Sequence, residues 1–133
     1  MWHPAFAIGH PRIDAEHQEL FDRLEKLLNA ALQGEASPAV AEMLDFLGFY
    51  VANHFAHEEE LMEWSNYEGL GEHRAQHLLF SRNLETLKRE FTQQGAYGGA
   101  LSHLVAELTE WLTSHVLEVD QVMGAHLRRK GIR

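Results

Sequence analysis

The sequence predicts an all-α protein, an up-down-up-down four-helix bundle with an extended N-terminal arm. Three observations carry this. Four long segments repeat apolar residues at intervals of three and four, the period of one helix face. The breaks between them are short and hold glycine, proline, serine or asparagine. No segment of useful length shows the polar–apolar alternation of a half-buried strand. Short links between amphipathic helices place sequential helices side by side and antiparallel.

The arm covers about 1–12, where Pro4, Gly9 and Pro11 disfavour continuous helix. The first helix covers about 14–33, with Leu20, Phe21, Leu24, Leu27, Leu28 and Ala31 on one face. Asp14 reads as its N-cap and Gly34 as its stop. The second covers about 38–64 and starts at Ser37-Pro38, a cap followed by a first-turn proline. Its face is Met43, Leu44, Leu47, Tyr50, Val51, Phe55, Leu61 and Met62, and Ser65-Asn66 closes it. The third covers about 70–93, opening near Gly69 or Gly71 and carrying Leu78, Phe80, Leu84, Leu87 and Phe91. Gly95 stops it, and the link Gly95-Ala96-Tyr97-Gly98-Gly99 disfavours helix. The fourth covers about 100–129, with Leu101, Leu104, Leu108, Leu112, Val119 and Val122. The whole chain, 1–133, reads as a single domain.

Composition narrows the function. Hydrophobic residues make up 45% and charged residues 23%, an ordinary globular balance. A net charge of -9 argues against nucleic acid, which needs a basic face. Without cysteine there are no disulfides, thiolate zinc sites, iron–sulfur clusters or cysteine nucleophiles. The start Met1-Trp2-His3-Pro4 lacks the basic and apolar regions of a secretory signal. No apolar run nears the roughly 20 residues of a membrane span. The expectation is a cytoplasmic protein without membrane insertion.

Ten histidines stand out. Five of them, with two carboxylates, fall on the apolar faces: His17 on the first helix, His54 and Glu58 on the second, His73 and His77 on the third, His115 and Asp120 on the fourth. A lone histidine on such a face is usually a satisfied core residue, and a His-x-x-x-His pair arises often by chance. The conjunction on four helices is different. Each neutral polar group buried without a partner costs about 1–3 kcal/mol, and a charge costs more. A metal centre gives all seven a common partner. Seven ligands are too many for one ion and suit two if both carboxylates bridge. Imidazole and carboxylate without thiolate point to iron, while donor type alone leaves manganese and zinc open. His3, His10, His57, His103 and His126 read as surface or boundary residues.

Spacing adds a structural expectation. His54 and Glu58 are four apart, as are His73 and His77, so each pair shares a face. His115 and Asp120 are five apart, which in a regular α-helix separates them by about 140°. A wide turn with i→i+5 bonding between them would bring both to one metal pair; the alternative is a regular helix from whose flank Asp120 reaches in by side-chain orientation alone.

The chain resembles the bacterial hemerythrins over nearly its whole length. The resemblance is carried by Ile13-Asp14-Ala15-Glu16-His17, His54-Phe55-Ala56-His57-Glu58-Glu59, His73-Arg74-Ala75-Gln76-His77, and Trp111-Leu112-Thr113-Ser114-His115-Val116 running on to Asp120. It implies two iron ions per chain with an oxo or hydroxo bridge. His73, His77 and His115 would hold one iron and His17 and His54 the other, with Glu58 and Asp120 bridging. The second iron then keeps an open position for O2. Leu20, Phe55, Trp111, Leu112 and Val116 would line the O2 pocket, whose dryness suits a carrier. The implied function is reversible O2 binding, for carriage, storage or delivery to an oxygen-consuming enzyme, rather than catalysis. The competing readings are an O2 or iron sensor and a di-iron oxidase, peroxidase or nitric-oxide-handling enzyme. Five histidines to two carboxylates weigh against the carboxylate-rich di-iron oxidases.

Overall fold

The computed structural model describes residues 2–96 and 99–132. Tyr97 and Gly98 of the glycine-rich link lie outside the described residues, as do Met1 and Arg133. Helix α1 spans Pro11–Leu32, α2 Ala36–Trp64 and α3 Leu70–Gln94. The fourth helix has three parts: α4 (Ala100–Glu110), a π-helical segment (Trp111–Val119) and α5 (Asp120–Arg129). Consecutive helices pack on one another in a four-helix bundle, and no strand occurs among the described residues. Gly34 and Gly95, expected as stops, follow α1 and α3 with φ of 77° and 72°.

The start of α1 differs from the sequence expectation. The helix begins at Pro11, and His10 is the N-cap, its Nδ1 accepting from the Ile13 N–H at 3.3 Å. Proline at N1 has its φ preset and no N–H to orphan, so it starts the helix three residues early. Asp14 has another task. Its carboxylate accepts from the N–H groups of Ile8 at 2.7 Å and Gly9 at 3.2 Å, tying the arm to the helix. The arm thus ends at His10 and contains a 3₁₀ turn, Pro4–Phe6, rather than being wholly extended. Helix α2 likewise starts at Ala36, with Glu35 as N-cap, and Pro38 falls in its first turn.

Two apolar residues read onto buried faces are exposed, Leu78 at 53% and Val122 at 60%. On α3 the buried line is His73, His77, Phe80, Leu84 and Leu87, which leaves Leu78 on the flank. On α5 the π segment shifts the helical phase, so Asp120, Met123, Gly124 and Leu127 face inward and Val122 faces out.

The core has two parts. The larger includes Leu20, Phe21, Leu24, Leu47, Phe80, Leu84, Leu104 and Leu108. The smaller consists of Ile8, Ile13, Met62, Met123 and Leu127. The polar residues singled out from the sequence lie between them: His17 sits between Ile13 and Leu20, and Glu58 between Phe55 and Met62.

The arm closes the smaller core. Ile8 is fully buried, and Gln121 donates to the carbonyls of Phe6 at 2.9 Å and Ala7 at 3.3 Å. The Arg128 guanidinium donates to the Ile8 carbonyl. The close approach needs a glycine on α5. A Cβ at Gly124 would lie 2.6 Å from the Ile8 Cβ and 2.8 Å from its carbonyl oxygen. Gly124→Ala is therefore expected to destabilise the fold by about 1–3 kcal/mol, the usual range for overpacking, and to loosen the arm. Thermal melting and amide exchange at Ile8 check this; parental values of both would contradict it.

Candidate metal centre

Five imidazoles and two carboxylates meet at mid-bundle, all buried: His17 from α1, His54 and Glu58 from α2, His73 and His77 from α3, His115 from the π segment and Asp120 from α5. They form two groups. In one, Glu58, His73, His77 and His115 place a ligand atom each within 4.8 Å of one another; in the other, His17, His54, Glu58 and Asp120 do so.

Each carboxylate offers one oxygen to each side. Glu58 Oε1 lies 3.3 Å from His73 Nε2 and 3.1 Å from His77 Nε2. Its Oε2 lies 2.9 Å from His54 Nε2 and 3.3 Å from His17 Nε2. Asp120 Oδ1 lies 2.9 Å from His73 Nε2 and 3.1 Å from His115 Nε2, and its Oδ2 3.1 Å from His17 Nε2. Donors about 2.1 Å from a metal and at right angles to each other are about 3.0 Å apart. The spacing is that of ligand atoms around shared centres.

Unsatisfied atoms test the fit. His17 Nε2, His115 Nε2, Glu58 Oε2 and both Asp120 oxygens are buried without a hydrogen-bond partner. They face one another at short range, yet their orientations do not make hydrogen bonds. An apolar bundle that orphans so many strong donors and acceptors at one point is destabilised unless cations occupy it. The donor set of nitrogen and oxygen without sulfur fits non-haem iron.

A second layer orients the imidazoles. Glu16 on α1 accepts from His54 Nδ1 on α2 at 3.0 Å. Glu59 on α2 accepts from His77 Nδ1 on α3 at 2.8 Å. Gln76 on α3 accepts from His115 Nδ1 on the fourth helix at 2.7 Å. Helices α1, α2 and α3 thus each fix the tautomer of a histidine on the next, leaving its Nε2 free to ligate. Sequence reading missed these roles, although each residue directly adjoins a residue it did single out. His57, read as a boundary residue, is half-buried, donates from Nδ1 to Glu16 at 3.0 Å and contacts Arg12.

The π segment brings Asp120 round to His115. The Asp120 N–H donates to the His115 carbonyl, an i→i+5 bond, so a spacing of five becomes one wide turn. The expected single turn is in fact a segment of nine residues. The Thr113 hydroxyl donates to the Thr109 carbonyl at 2.8 Å and approaches that of Glu110 at 3.4 Å, where the ladder changes pitch.

Leu20, Phe55, Trp111, Leu112 and Val116 are all buried in the larger core. Phe55 stacks on His77 at 3.9 Å between ring centroids, and Trp111 on His115 at 3.8 Å. The dry wall expected from sequence needs one amendment. Tyr50, one turn before His54, stacks on that imidazole at 4.4 Å, and its buried hydroxyl has no hydrogen-bond partner. Burial first, then the charges of Glu58 and Asp120, push its pKa well above the usual phenol value, with the Trp111 indole opposing them.

The carboxylates also govern His17 and His73, whereas at His115 burial prevails and lowers the pKa. Burial pushes His17 and His73 down, but Asp120 and Glu58 outweigh it and raise them to about 10 and about 9. Burial pushes the carboxyls of Glu58 and Asp120 up, as Glu58 does to Asp120; the imidazoles prevail and hold both below the usual carboxylate range.

Comparison with known proteins finds relatives of one family. The family model described as the Hemerythrin HHE cation binding domain matches residues 9–127. A bacteriohemerythrin of Pseudomonas paraeruginosa is 32% identical over 120 residues, covering 90% of this chain and 76% of that protein. One from Stenotrophomonas maltophilia is 30% identical over 133 residues, covering 97% and 84%. A myohemerythrin of Theromyzon tessulatum is 28% identical over 119 residues, covering 90% and 86%. No helix among the described residues is long and apolar enough to cross a membrane.

Metal and protons should compete here. In the metal-free protein His17 and His73 are protonated at neutral pH, because their folded pKa values lie above the ordinary 6.5. Their contribution to stability is full below about pH 6.5 and is lost as pH rises through about 9 to 10. Ligation requires neutral imidazole, so loading at pH 7 should release on the order of two protons per chain. Calorimetry in buffers of different ionisation enthalpy measures this, and melting of the metal-free protein should fall between pH 7 and 10. Loading without proton release would contradict the assignment.

Proposed function

This chain belongs to the hemerythrin family, and we propose that it binds O2 reversibly at two irons held by its own buried side chains. The observation that carries the proposal is the orientation of Glu58 and Asp120, each offering one oxygen to either histidine group. His73, His77 and His115 would hold one iron and His17 and His54 the other, and bound iron would supply the electrons that reversible O2 binding needs.

The rest is the work of the side chains. Three imidazoles against two would make the pair unequal and would leave room for a ligand on the side of His17 and His54. The Nδ1 partners Glu16, Glu59 and Gln76 hold His54, His77 and His115 in one tautomer, limiting rearrangement as a ligand comes and goes. Leu20, Phe55, Trp111, Leu112 and Val116 exclude water from the open position. That exclusion favours return of O2 unchanged over its reduction, and therefore storage, carriage or delivery to an oxygen-consuming enzyme over turnover.

Protein reduced without air should contain about two irons per chain. Its visible spectrum should change on admission of one O2 per iron pair and revert under argon. A chain that takes up no iron, or one that consumes O2 continuously in excess reductant, would overturn the proposal.

A further inference from the structure

The Tyr50 hydroxyl is a buried donor beside the two-histidine side of the centre that has no assignment. Its ring is 3% exposed and lies at 18° to the His54 imidazole. Its edge meets Phe55 at 5.7 Å, and Phe55 meets Trp111 at 5.3 Å, so the phenol belongs to the same aromatic wall as the pocket. The buried Trp111 N–H faces the phenol oxygen and lowers the phenol pKa as a donor would, which leaves the phenol's own O–H to be satisfied. A buried donor left unmade is destabilising, and this O–H calls for an acceptor.

The surface offers such an acceptor a way in. A groove between α1 and α2, lined by Phe46, Phe49 and Asn53 and flanked by Arg12, Glu16 and Glu19, reaches Tyr50 and His54. Of the seven residues of the centre its lining includes His54 alone. A ligand seated against His54 would have the phenol beside it, whereas the alkyl groups of Leu20, Leu112 and Val116 offer no hydrogen bond.

We propose that Tyr50 is a ligand-recognition residue, its hydroxyl donating a hydrogen bond to a small unbranched acceptor held on the His17 and His54 side. The acceptor class is one or two light atoms beyond the metal, ending in nitrogen or oxygen and carrying negative charge. The inference rests on the reading of the site as a di-iron centre and deepens it: selectivity comes from a donor as well as from dryness. A neutral apolar ligand gains nothing from Tyr50, while a polarised or anionic one is held longer.

Azide added to the oxidised, iron-loaded protein is the probe. In the parent, the azide stretching frequency should shift when H2O is exchanged for D2O, a measurement that needs no mutation. In Tyr50→Phe, azide affinity should fall about tenfold, equivalent to ~1.4 kcal/mol, and the solvent-isotope shift should vanish, with iron content and melting near parental. Iron-loaded parent protein with no isotope shift, or Tyr50→Phe with parental affinity and shift, would overturn this inference alone. A parent chain that takes up no iron would overturn the di-iron reading and the inference together.

Discussion

Two carboxylates are buried at the centre of a bundle whose neighbouring layers are apolar, and the four oxygens they bring have to be neutralised there. Glu58 and Asp120 are fully buried. The groups that chiefly depress their pKa values are imidazoles. Imidazole can answer a carboxylate in two ways, as a protonated partner or as a neutral co-ligand of a cation. The first operates in the metal-free chain, where it raises His17 and His73. The second leaves all five Nε2 atoms free to point at metal. Protonated imidazoles offset part of the buried negative charge when no metal is bound, and exchange of protons for metal would couple folding to loading.

That centre governs the architecture around it. Apolar clusters lie on both sides, so the site is removed from solvent along the bundle axis. The arm completes the smaller cluster, and Gly124 admits Ile8 where any side chain would exclude it. Hydrogen bonding runs around the bundle rather than along it: Glu16 to His54, Glu59 to His77, Gln76 to His115. Because each partner sits beside a residue of the centre on its own helix, a small rotation of one helix disturbs the centre twice. Arg74 steadies Glu59 from outside at 3.1 Å and reaches Glu63 at 3.3 Å. These exposed pairs contribute little stability by themselves, and their importance is in orientation.

Much of this was legible in the sequence, for a physical reason. Helical periodicity is a local property, and ligand types interrupting an apolar face are visible without knowing the partner helix. The four helices, the seven convergent groups and the wide turn before Asp120 all follow from spacing. What was not legible depends on contacts between helices. Asp14 has the right chemistry for an N-cap, but His10-Pro11 fills that role and Asp14 holds the arm. Val122 fits an ideal helical face, yet the phase shift of a π segment longer than one turn moves it to the surface. Glu16, Glu59 and Gln76 look like ordinary polar residues until the next helix supplies an imidazole. Tyr50 counts as one more apolar position until its hydroxyl is found buried and unpaired.

If Glu58 and Asp120 bridge the centre, each touches two metals. Anomalous diffraction at the iron edge from crystals of the iron-loaded protein would show whether they do. Two resolved peaks are expected, one beside His73, His77 and His115 and the other beside His17 and His54, each within bonding distance of both carboxylates. A single peak, or two peaks with each carboxylate bound to only one, would contradict it.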